Sequence, residues 1–547
     1  MIKSIKEKKD IFYRSSAFLF FLFLSVTLFA QEKVKEEKKT RVDLLHADEG
    51  VADKLARPDV QVLLGNVRLR QDSMYMYCDS ALIYEKTNSV EAFSNVRMEQ
   101  GDTLFIYGDY LFYDGMAQIA QLRNNVKLIN RNTTLITDSL NYDRIYDLGY
   151  YFEGGILSDE ENVLTSDWGE YSPSTKLAVF NHEVTLDNPR FMLTSDTLKY
   201  HTETRVATIL GPSDIYNEDN HIYSEKGFYN TLDDTAELLE RSILTNGGRQ
   251  MTGDSLYYDR RSGYGEAFNN VEMNDTINRN MLLGDYCYYN ELTEYAFATG
   301  RAVAVDYSQK DSLFIHADTL KMNSYNLQTD SVYREVLGYR KVRMYREDLQ
   351  GVCDSLAYNS IDSCITMYYD PILWSDGQQL LGEEIKAYMK DNKIDWAHII
   401  NQTLVVEEKD SIHYNQVSGK EIKAYFKENE LDEVDVIGNV LVIFYPQEKD
   451  NTMIGMNTSE TSRLNLFFKE RKINKMIMSP KSNGVLYPMN QIPEDKMRLE
   501  NFYWFDFIRP RNKEDIFDWR PKPAEARLKK QDREPIDISK RRQMQRR

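Results

Sequence analysis

Apolar and polar residues alternate in short segments along most of the chain. In Gly253–Asp259 (Gly-Asp-Ser-Leu-Tyr-Tyr-Asp) and again in Gly265–Val271 (Gly-Glu-Ala-Phe-Asn-Asn-Val), every second side chain suits one face of a half-buried strand. The second segment ends in an Asn-rich turn. The pair therefore predicts one strand-turn-strand unit of about 30 residues.

This unit recurs with a nearly constant spacing. An acidic residue opens each unit, and from Asp109 to Asp254 every step is 29 residues. Leu usually follows two places later and Tyr four places later, so both point to the same strand face. The opening residues are Asp48, Asp79, Asp109, Asp138, Asp167, Asp196, Glu225, Asp254, Asp285, Asp318 and Asp354, with looser units near Glu383 and Glu421. Such regularity identifies a repeat array.

The second strand of a unit carries an Asn-Val element, as in Asn95-Val96 and Asn270-Val271. Because Gly and Asn tolerate positive φ, this element predicts a bend, after which the strand resumes. The predicted fold is all-β: an elongated two-sheet jellyroll, a folded-sheet solenoid of strand-turn-strand repeats of about 29 residues. A parallel β-helix is the competing architecture, and it needs about three strands and three bends per coil.

Composition changes along the chain predict six segments. Lys3, Lys6 and neighbouring basic residues precede the apolar run 17–29, which is typical of a secretory signal peptide cleaved near Ala30. We expect the 489–526 segment to fold back over the last sheet edge. The segments are a signal peptide (1–30), a charged linker (31–44), the repeat array of about twelve units (45–445), a degenerate final repeat or cap (446–488), a Pro- and Trp-containing segment (489–526) and a basic disordered tail (527–547).

Charge and cysteine content exclude some classes of protein. The formal net charge is −18, whereas nucleic-acid backbones require basic surfaces, so no nucleic-acid partner is expected. Only four cysteines are present, too few for a disulfide framework. Cys353 and Cys364 lie within one repeat, and either a disulfide between them or two buried free thiols fits the spacing. The basic tail is interpreted either as a contact with anionic lipid or cell-wall polymer or as a solvated tail.

Signals for catalysis are absent from the sequence. There is no Gly-x-Ser-x-Gly elbow, phosphate loop or His-Glu-x-x-His zinc motif, and the seven histidines are scattered singly. The opening acidic residue of each unit is interpreted as a turn former that accepts backbone hydrogen bonds. We therefore expect no catalytic residue, no metal site and no cofactor.

The succession Gly-Asp-Ser-Leu-Tyr-Tyr-Asp, an Ala-rich strand and Gly-Asn-Val resembles the OstA-like domain of organic-solvent-tolerance and lipopolysaccharide-transport proteins. The clearest matches are Ala47-Asp48 through Val67, Cys78-Asp79-Ser80, Gly108–Asp114, Thr137–Asp143 and Gly253–Val271, and the resemblance extends over residues 45–445. It departs from the family in length, since the array is about twice as long as a single bridge protein of the family needs.

The resemblance implies a non-enzymatic function. The family's jellyroll holds lipopolysaccharide acyl chains in its interior and joins its partners edge to edge, which implies a periplasmic bridge with a peripheral contact to the outer membrane. The implied partners are lipopolysaccharide or a related glycolipid and other Lpt-type jellyroll proteins, bound by edge-strand pairing. The candidate lipid-facing residues are the inward positions Leu111, Tyr113, Leu140, Tyr142, Leu198, Tyr200, Leu256, Tyr258, Leu356 and Tyr358.

Two other functions remain open from the residues themselves. Inward Leu and Tyr side chains can simply fill a dry core, which would make the protein a structural or adhesive exported β-solenoid. A polysaccharide-active enzyme on a β-helix is the less favoured alternative, because a catalytic carboxylate pair is defined by its distance in space and not by a sequence motif.

Overall fold

The computed structural model describes residues 41–526, except for 53–58, 218–219, 376, 391–392, 429, 449, 451 and 471. The predicted signal peptide, all but the last four residues of the predicted linker, and the predicted basic tail lie outside the described residues. Among the described residues, no helix has the length and apolarity to cross a membrane.

The described residues form forty β-strands and five short 3₁₀ helices. The first twenty strands are β1 (Asp43–His46), β2 (Glu49–Ala52), β3 (Val60–Gln71), β4 (Met74–Tyr84), β5 (Ser89–Gln100), β6 (Leu104–Asp114), β7 (Ile119–Asn130), β8 (Thr133–Asp143), β9 (Leu148–Tyr151), β10 (Gly155–Ser158), β11 (Val163–Ser166), β12 (Trp168–Ser172), β13 (Leu177–Asn188), β14 (Phe191–His201), β15 (Val206–Ile209), β16 (Ser213–Asn217), β17 (Asn220–Ser224), β18 (Lys226–Asn230), β19 (Thr235–Leu239) and β20 (Ile243–Asn246).

The remaining strands are β21 (Arg249–Thr252), β22 (Ser255–Asp259), β23 (Tyr264–Asp275), β24 (Asn280–Asn290), β25 (Tyr295–Thr299), β26 (Val303–Asp306), β27 (Leu313–His316), β28 (Thr319–Tyr325), β29 (Tyr333–Arg346), β30 (Leu349–Asn359), β31 (Cys364–Tyr368), β32 (Ile372–Ser375), β33 (Gln378–Leu381), β34 (Glu384–Lys390), β35 (Lys393–Glu408), β36 (Tyr414–Lys427), β37 (Glu430–Phe444), β38 (Gly455–Lys469), β39 (Lys472–Ser479) and β40 (Asn483–Pro488). The 3₁₀ helices are Met489–Gln491, Glu494–Lys496, Asp506–Ile508, Asp515–Phe517 and Ala524–Ala526.

Neighbouring strands pair antiparallel, and the predicted all-β jellyroll is confirmed. Each chain pass is bent near its middle, where the pairing register shifts, as between Asn181 and Val184. Each pass therefore contributes one half to each of two layers. The layer called sheet I contains the strand halves that precede an Asn-Val bend and those that follow an opening acidic residue, such as 177–181 and 197–201, and it carries the Leu and Tyr positions. The layer called sheet II contains the remaining halves, such as 184–188 and 191–195. The parallel β-helix alternative is wrong, because its strands would pair in parallel.

The bends form where the sequence predicts them. Asn124 and Asn125 have φ values of 60° and 52°, in the left-handed region that Asn tolerates. The opening acidic residue is interpreted as an acceptor of backbone bonds, and Asp138 Oδ1 does accept the backbone N–H of Asn125 at 3.4 Å. Other opening carboxylates accept the side-chain amide of the neighbouring bend. Asn125 Nδ2 lies 2.6 Å from Asp109 Oδ2, and Asn270 Nδ2 lies 2.9 Å from Asp254 Oδ2.

The chain divides into two compact units. The first comprises the described residues up to Leu157 together with Glu170–Thr175, and the second comprises Ser158–Gly169 together with the described residues from Lys176 onward. In the first unit the interior is a filled apolar core in which Leu111, Tyr113 and Leu140 are fully buried. Polar side chains also tie its two sheets together where the strands end, since Gln71 Nε2 donates to Gly115 O at 2.9 Å.

In the second unit the segment 489–526 folds back, as the sequence predicts. It is not confined to the last sheet edge, where we expected it. It packs along sheet II over several repeats. Its apolar side chains form separate clusters with strands that are far apart in sequence: Ile516 with Val303 and Val305, and Phe505 and Ile508 with a larger group. That group contains Val352, Ile372, Trp374, Leu381, Leu404, Val406 and Tyr414.

Candidate functional site

The interior of the second unit begins as a closed core. In sheet II the inward residues Leu186, Leu193, Ile215 and Ile222 pair directly from strand to strand and are 0–1% exposed. Opposite them in sheet I, Tyr200 and its counterparts alternate with alanines, and Tyr200 is also fully buried. No ligand-sized space is left between sheets that shield each other this completely.

A hydrogen-bonded latch closes the rim of these repeats, the edge at which the hairpin turns of the two sheets face each other. Asn162 Nδ2 donates to Tyr200 Oη at 2.8 Å, and the Tyr200 hydroxyl donates to Asp159 Oδ2 at 2.5 Å. Arg190 Nη2 reaches the carbonyl oxygen of Thr231 at 2.6 Å. Because Asn162 is 1% exposed, these polar groups satisfy one another and not water.

Further along the same unit the interior becomes accessible. The row of inward side chains in sheet II, each paired directly with the next across neighbouring strands, continues from Ile222 through Leu244 and Met251. Beyond Met251, most side chains of this row are half-buried and no longer fully buried. Met344 and Val442, each 4% exposed, remain covered. We call this stretch the open groove, and its half-buried lining is Leu282, Ala304, Ile315, Leu373, Leu380, Val405 and Val417 in sheet II and Met322, Val336, Tyr358, Ile365, Ala387 and Val434 in sheet I.

The change from closed core to open groove has a local cause. The last contacts across the rim are Asn246 Nδ2 to Glu291 Oε1 at 3.0 Å and Arg249 Nη1 to the Tyr289 hydroxyl at 3.3 Å. In later repeats the Tyr position is occupied by Met322 and Ala387, which are too short and apolar to reach a polar partner on the opposite rim. Beyond Glu291, the side chains described by the structure form no hydrogen bond from rim to rim.

The candidate lipid-facing residues fall into two environments. Within the first unit, Leu111, Tyr113, Leu140 and Tyr142 are at most 1% exposed. Within the second unit, Leu198, Tyr200, Leu256, Tyr258 and Leu356 are 0–7% exposed, whereas Tyr358 is half-buried and lines the open groove. Only Tyr358 therefore has an accessible surface in the interior of this conformation, and the other nine fill cores.

The open groove is an apolar site. Its lining consists of aliphatic side chains, Met322 and the ring of Tyr358, none of them charged. Burial alone raises the pKa of Cys287 to about 12, so this inward thiol stays protonated at neutral pH. Cys353 and Cys364 are buried free thiols and not a disulfide. No cluster of potential metal ligands occurs among the described residues. Such a surface suits contact with hydrocarbon.

The sequence of residues 39–196 matches the family described as OstA-like protein. These residues form an OstA-like domain. A crystal structure of LptH from Pseudomonas aeruginosa, the LptA-homologous periplasmic component of the lipopolysaccharide transport device, is similar to the chain at 18% identity with a TM-score of 0.17. That likeness covers 18% of this chain and 75% of LptH. No curated protein matches the sequence.

Most of the groove lining is missing from the candidates that the sequence suggested. Those candidates are the repeats with an intact Leu-x-Tyr pattern, and an intact pattern turns out to favour a filled core. The informative signal is its loss at Met322 and Ala387, together with apolar runs that do not alternate, such as Leu404-Val405-Val406. Such runs indicate strands with two covered faces.

Proposed function

We propose that this protein is a non-enzymatic periplasmic carrier that binds the lipid A acyl chains of lipopolysaccharide, or of a related glycolipid, and forms a bridge segment toward the outer membrane. The open groove is the observation that carries the proposal. The match of residues 39–196 to the OstA-like family, which is one of transport domains, supports the same class of function for the chain, while the groove itself lies outside the matched residues. Export by the signal peptide predicted at residues 1–30 would bring the chain to that compartment.

The binding energy would come from hydrocarbon and not from head groups. Each buried CH₂ group contributes about 0.8 kcal/mol, and the groove lining is apolar on both walls. The formal net charge of −18 repels anionic phosphate groups. The head groups would therefore remain in solvent or be bridged by divalent cations, and binding should depend weakly on ionic strength.

Partners would attach at the strand edges. In the first unit, β1 and β2 expose Leu44, Leu45 and Val51 at 44–49%. In the second unit, β39 and β40 expose a further set of large apolar side chains, namely Ile473, Met476, Ile477, Val485 and Leu486. An edge strand with free backbone groups and apolar side chains favours strand addition, so Lpt-type jellyroll proteins are the proposed partners at both edges.

Site-specific photocrosslinking tests the carrier function. A photoreactive residue at Leu380 or Val405 should crosslink to lipopolysaccharide in exported protein, since both side chains line the groove. Leu193 and Ile215, in the same row of the closed core, are the matched controls and should give at least about tenfold less product, as expected for a binding difference of about 1.4 kcal/mol. Equal yields at both sets, or no lipid at Leu380 and Val405, would overturn the proposal.

The filled interior of the first unit favours a second candidate, a structural or adhesive exported β-solenoid, for that part of the chain. A core in which Leu111, Tyr113, Leu140 and Tyr142 are at most 1% exposed has no room for an acyl chain beside them. The same crosslinking experiment separates the two functions, because residues Leu140 and Tyr142 acquire lipid only if the sheets of this unit part during transport.

A further inference from the structure

The repeats that form the open groove have a second apolar surface on the opposite side of sheet II. Val352, Ile372, Leu381 and Leu404 pair directly across neighbouring strands, point away from the groove and are 0–6% exposed. In the closed repeats, outward positions such as Thr165 and Thr185 are polar, and these two share a hydrogen bond of 2.6 Å. The outward apolar surface is therefore a property of the groove repeats.

Segment 489–526 covers this outward surface, and buried glutamines bind its backbone. Gln379 Nε2 donates to Tyr503 O at 2.8 Å, and its Oε1 accepts the Phe505 N–H at 2.7 Å. Gln416 makes the same pair of bonds, to Met497 O and from Leu499 N, each 2.8 Å. Both glutamines are 0% exposed. Each glutamine side chain thus makes the two hydrogen bonds to the backbone of the segment that a neighbouring β-strand would otherwise make.

Buried charges fix the segment further along. Arg343 is fully buried and donates to Ile508 O at 3.1 Å, and burial lowers the pKa of its guanidinium to about 10. The ammonium group of Lys522, whose side chain is 10% exposed, lies 2.9 Å from a carboxylate oxygen of Asp370. Buried charged groups of this kind are costly to leave unpaired, so the segment cannot detach at these points without a large penalty.

We propose that segment 489–526 is a brace that keeps the groove open. The half-buried side chains that line the open groove would lose their remaining contact with water if the two sheets approached each other. The hydrophobic effect therefore favours closure of the groove. Closure requires the strands of sheet II to rotate inward about the bends. The brace opposes this rotation because it joins those strands into a two-layer slab with its own core. The inference rests on the proposed function, since the brace controls the same groove.

Distance measurement between spin labels tests the brace without any lipid. Cysteines introduced at Glu347 and Ile361, exposed turn residues on opposite rims of one groove repeat, carry the labels, while the native thiols are buried. The double variant Gln379→Ala/Gln416→Ala removes four backbone contacts of the brace. We expect the distance distribution to move toward the spacing of about 10 Å at which sheets pack face to face.

Two controls keep the result interpretable. Labels at Asp102 and Met116, in the first unit, should report an unchanged distance, and the exposed Gln121→Ala should leave the groove distance as it is. Limited proteolysis within 489–526 shows whether the brace is released, and Phe505→Asp releases it by a second route, because Phe505 is 2% exposed in the same core.

A released brace with an unchanged distance at the groove would overturn the inference, and so would a brace that stays protected in both variants while the groove closes. Failure of lipid crosslinking at Leu380 would instead overturn the carrier function. It would leave the distance result intact, so the two hypotheses fail separately.

Discussion

Replacing Tyr200 by Phe removes one oxygen from the latch of the closed repeats. The Tyr200 hydroxyl donates to Asp159 Oδ2 at 2.5 Å and accepts from Asn162 Nδ2 at 2.8 Å, in a site where both Tyr200 and Asn162 are at most 1% exposed. The ring stays in place, so the change isolates these hydrogen bonds from packing. We expect the local structure to be weakened, with Asp159 as the group most affected.

The size of the destabilisation depends on which hydrogen bonds the Asp159 carboxylate retains in the variant. Its Oδ1 still accepts the backbone N–H of Asn162 at 2.9 Å, but Oδ2 retains only the Asn162 amide at 3.3 Å. Loss of a hydrogen bond to a charged group costs about 1.5–3 kcal/mol. A central value of about 2 kcal/mol corresponds to roughly a 30-fold increase in the population of the locally opened state.

Hydrogen exchange measures this effect strand by strand, which suits a long array better than a single unfolding curve. Peptides from β14, Phe191–His201, should exchange about 30-fold faster in Tyr200→Phe than in the unmodified protein, by the same conversion. Tyr257→Phe is the matched control, because its half-buried hydroxyl has no hydrogen-bond partner among the described residues. Wild-type exchange of β14 in Tyr200→Phe would show that the latch does not stabilise the closed repeats.

Three further predictions concern other parts of the fold. Asn270→Ala should destabilise its repeat by about 1–2 kcal/mol in denaturant, and Asn270→Gly by less, because only Gly relieves the positive φ of 49° while both lose the bond to Asp254. Burial lowers the pKa of His316 below its ordinary value of 6.5, so the unfolded chain binds more protons than the folded one. The free energy of unfolding should therefore fall as the pH drops through 6.5, by at most about 1.4 kcal/mol per pH unit. His316→Gln should reduce this dependence of the free energy of unfolding on pH. Cys78 and Cys287 should react with a thiol reagent only on unfolding, and rapid native labelling would contradict their burial.

The repeat and its bends could be predicted because they are local. The 29-residue step, the Leu and Tyr positions and the Asn-Val element each specify a strand face or a backbone conformation within one unit. Bends even form where Asn is missing: His182 and Glu183 adopt φ values of 63° and 49°. Neighbouring strands evidently impose the geometry there, as expected when each repeat is stabilised mainly by the units beside it.

The candidate site was harder to predict because burial is not a local property. Leu356 and Leu380 are both inward leucines, yet the first is 5% exposed and the second half-buried. What separates them is their distance from the bend and what lies across the interior. The partners of the brace were equally hidden, since Gln379 meets Phe505 across 126 residues of sequence. Periodicity cannot identify such pairs.

The outermost inward position of a repeat contributes to whether its interior is a filled core or a groove. In the closed repeats it is a Tyr whose hydroxyl finds a polar partner, as Tyr200 does with Asp159, whereas Tyr358 lines the groove and is half-buried. Where it is Met322 or Ala387, no side chain spans the gap, and the lining stays half-exposed. Because the bends and the strand pairing are common to both kinds of repeat, the same scaffold yields a closed stretch or an accessible apolar wall, depending on how far the inward side chains fill the interior. Sheet II buries less apolar surface against sheet I in the groove repeats than in the closed repeats. The apolar contacts between its outer face and the segment 489–526 compensate for this loss of buried surface.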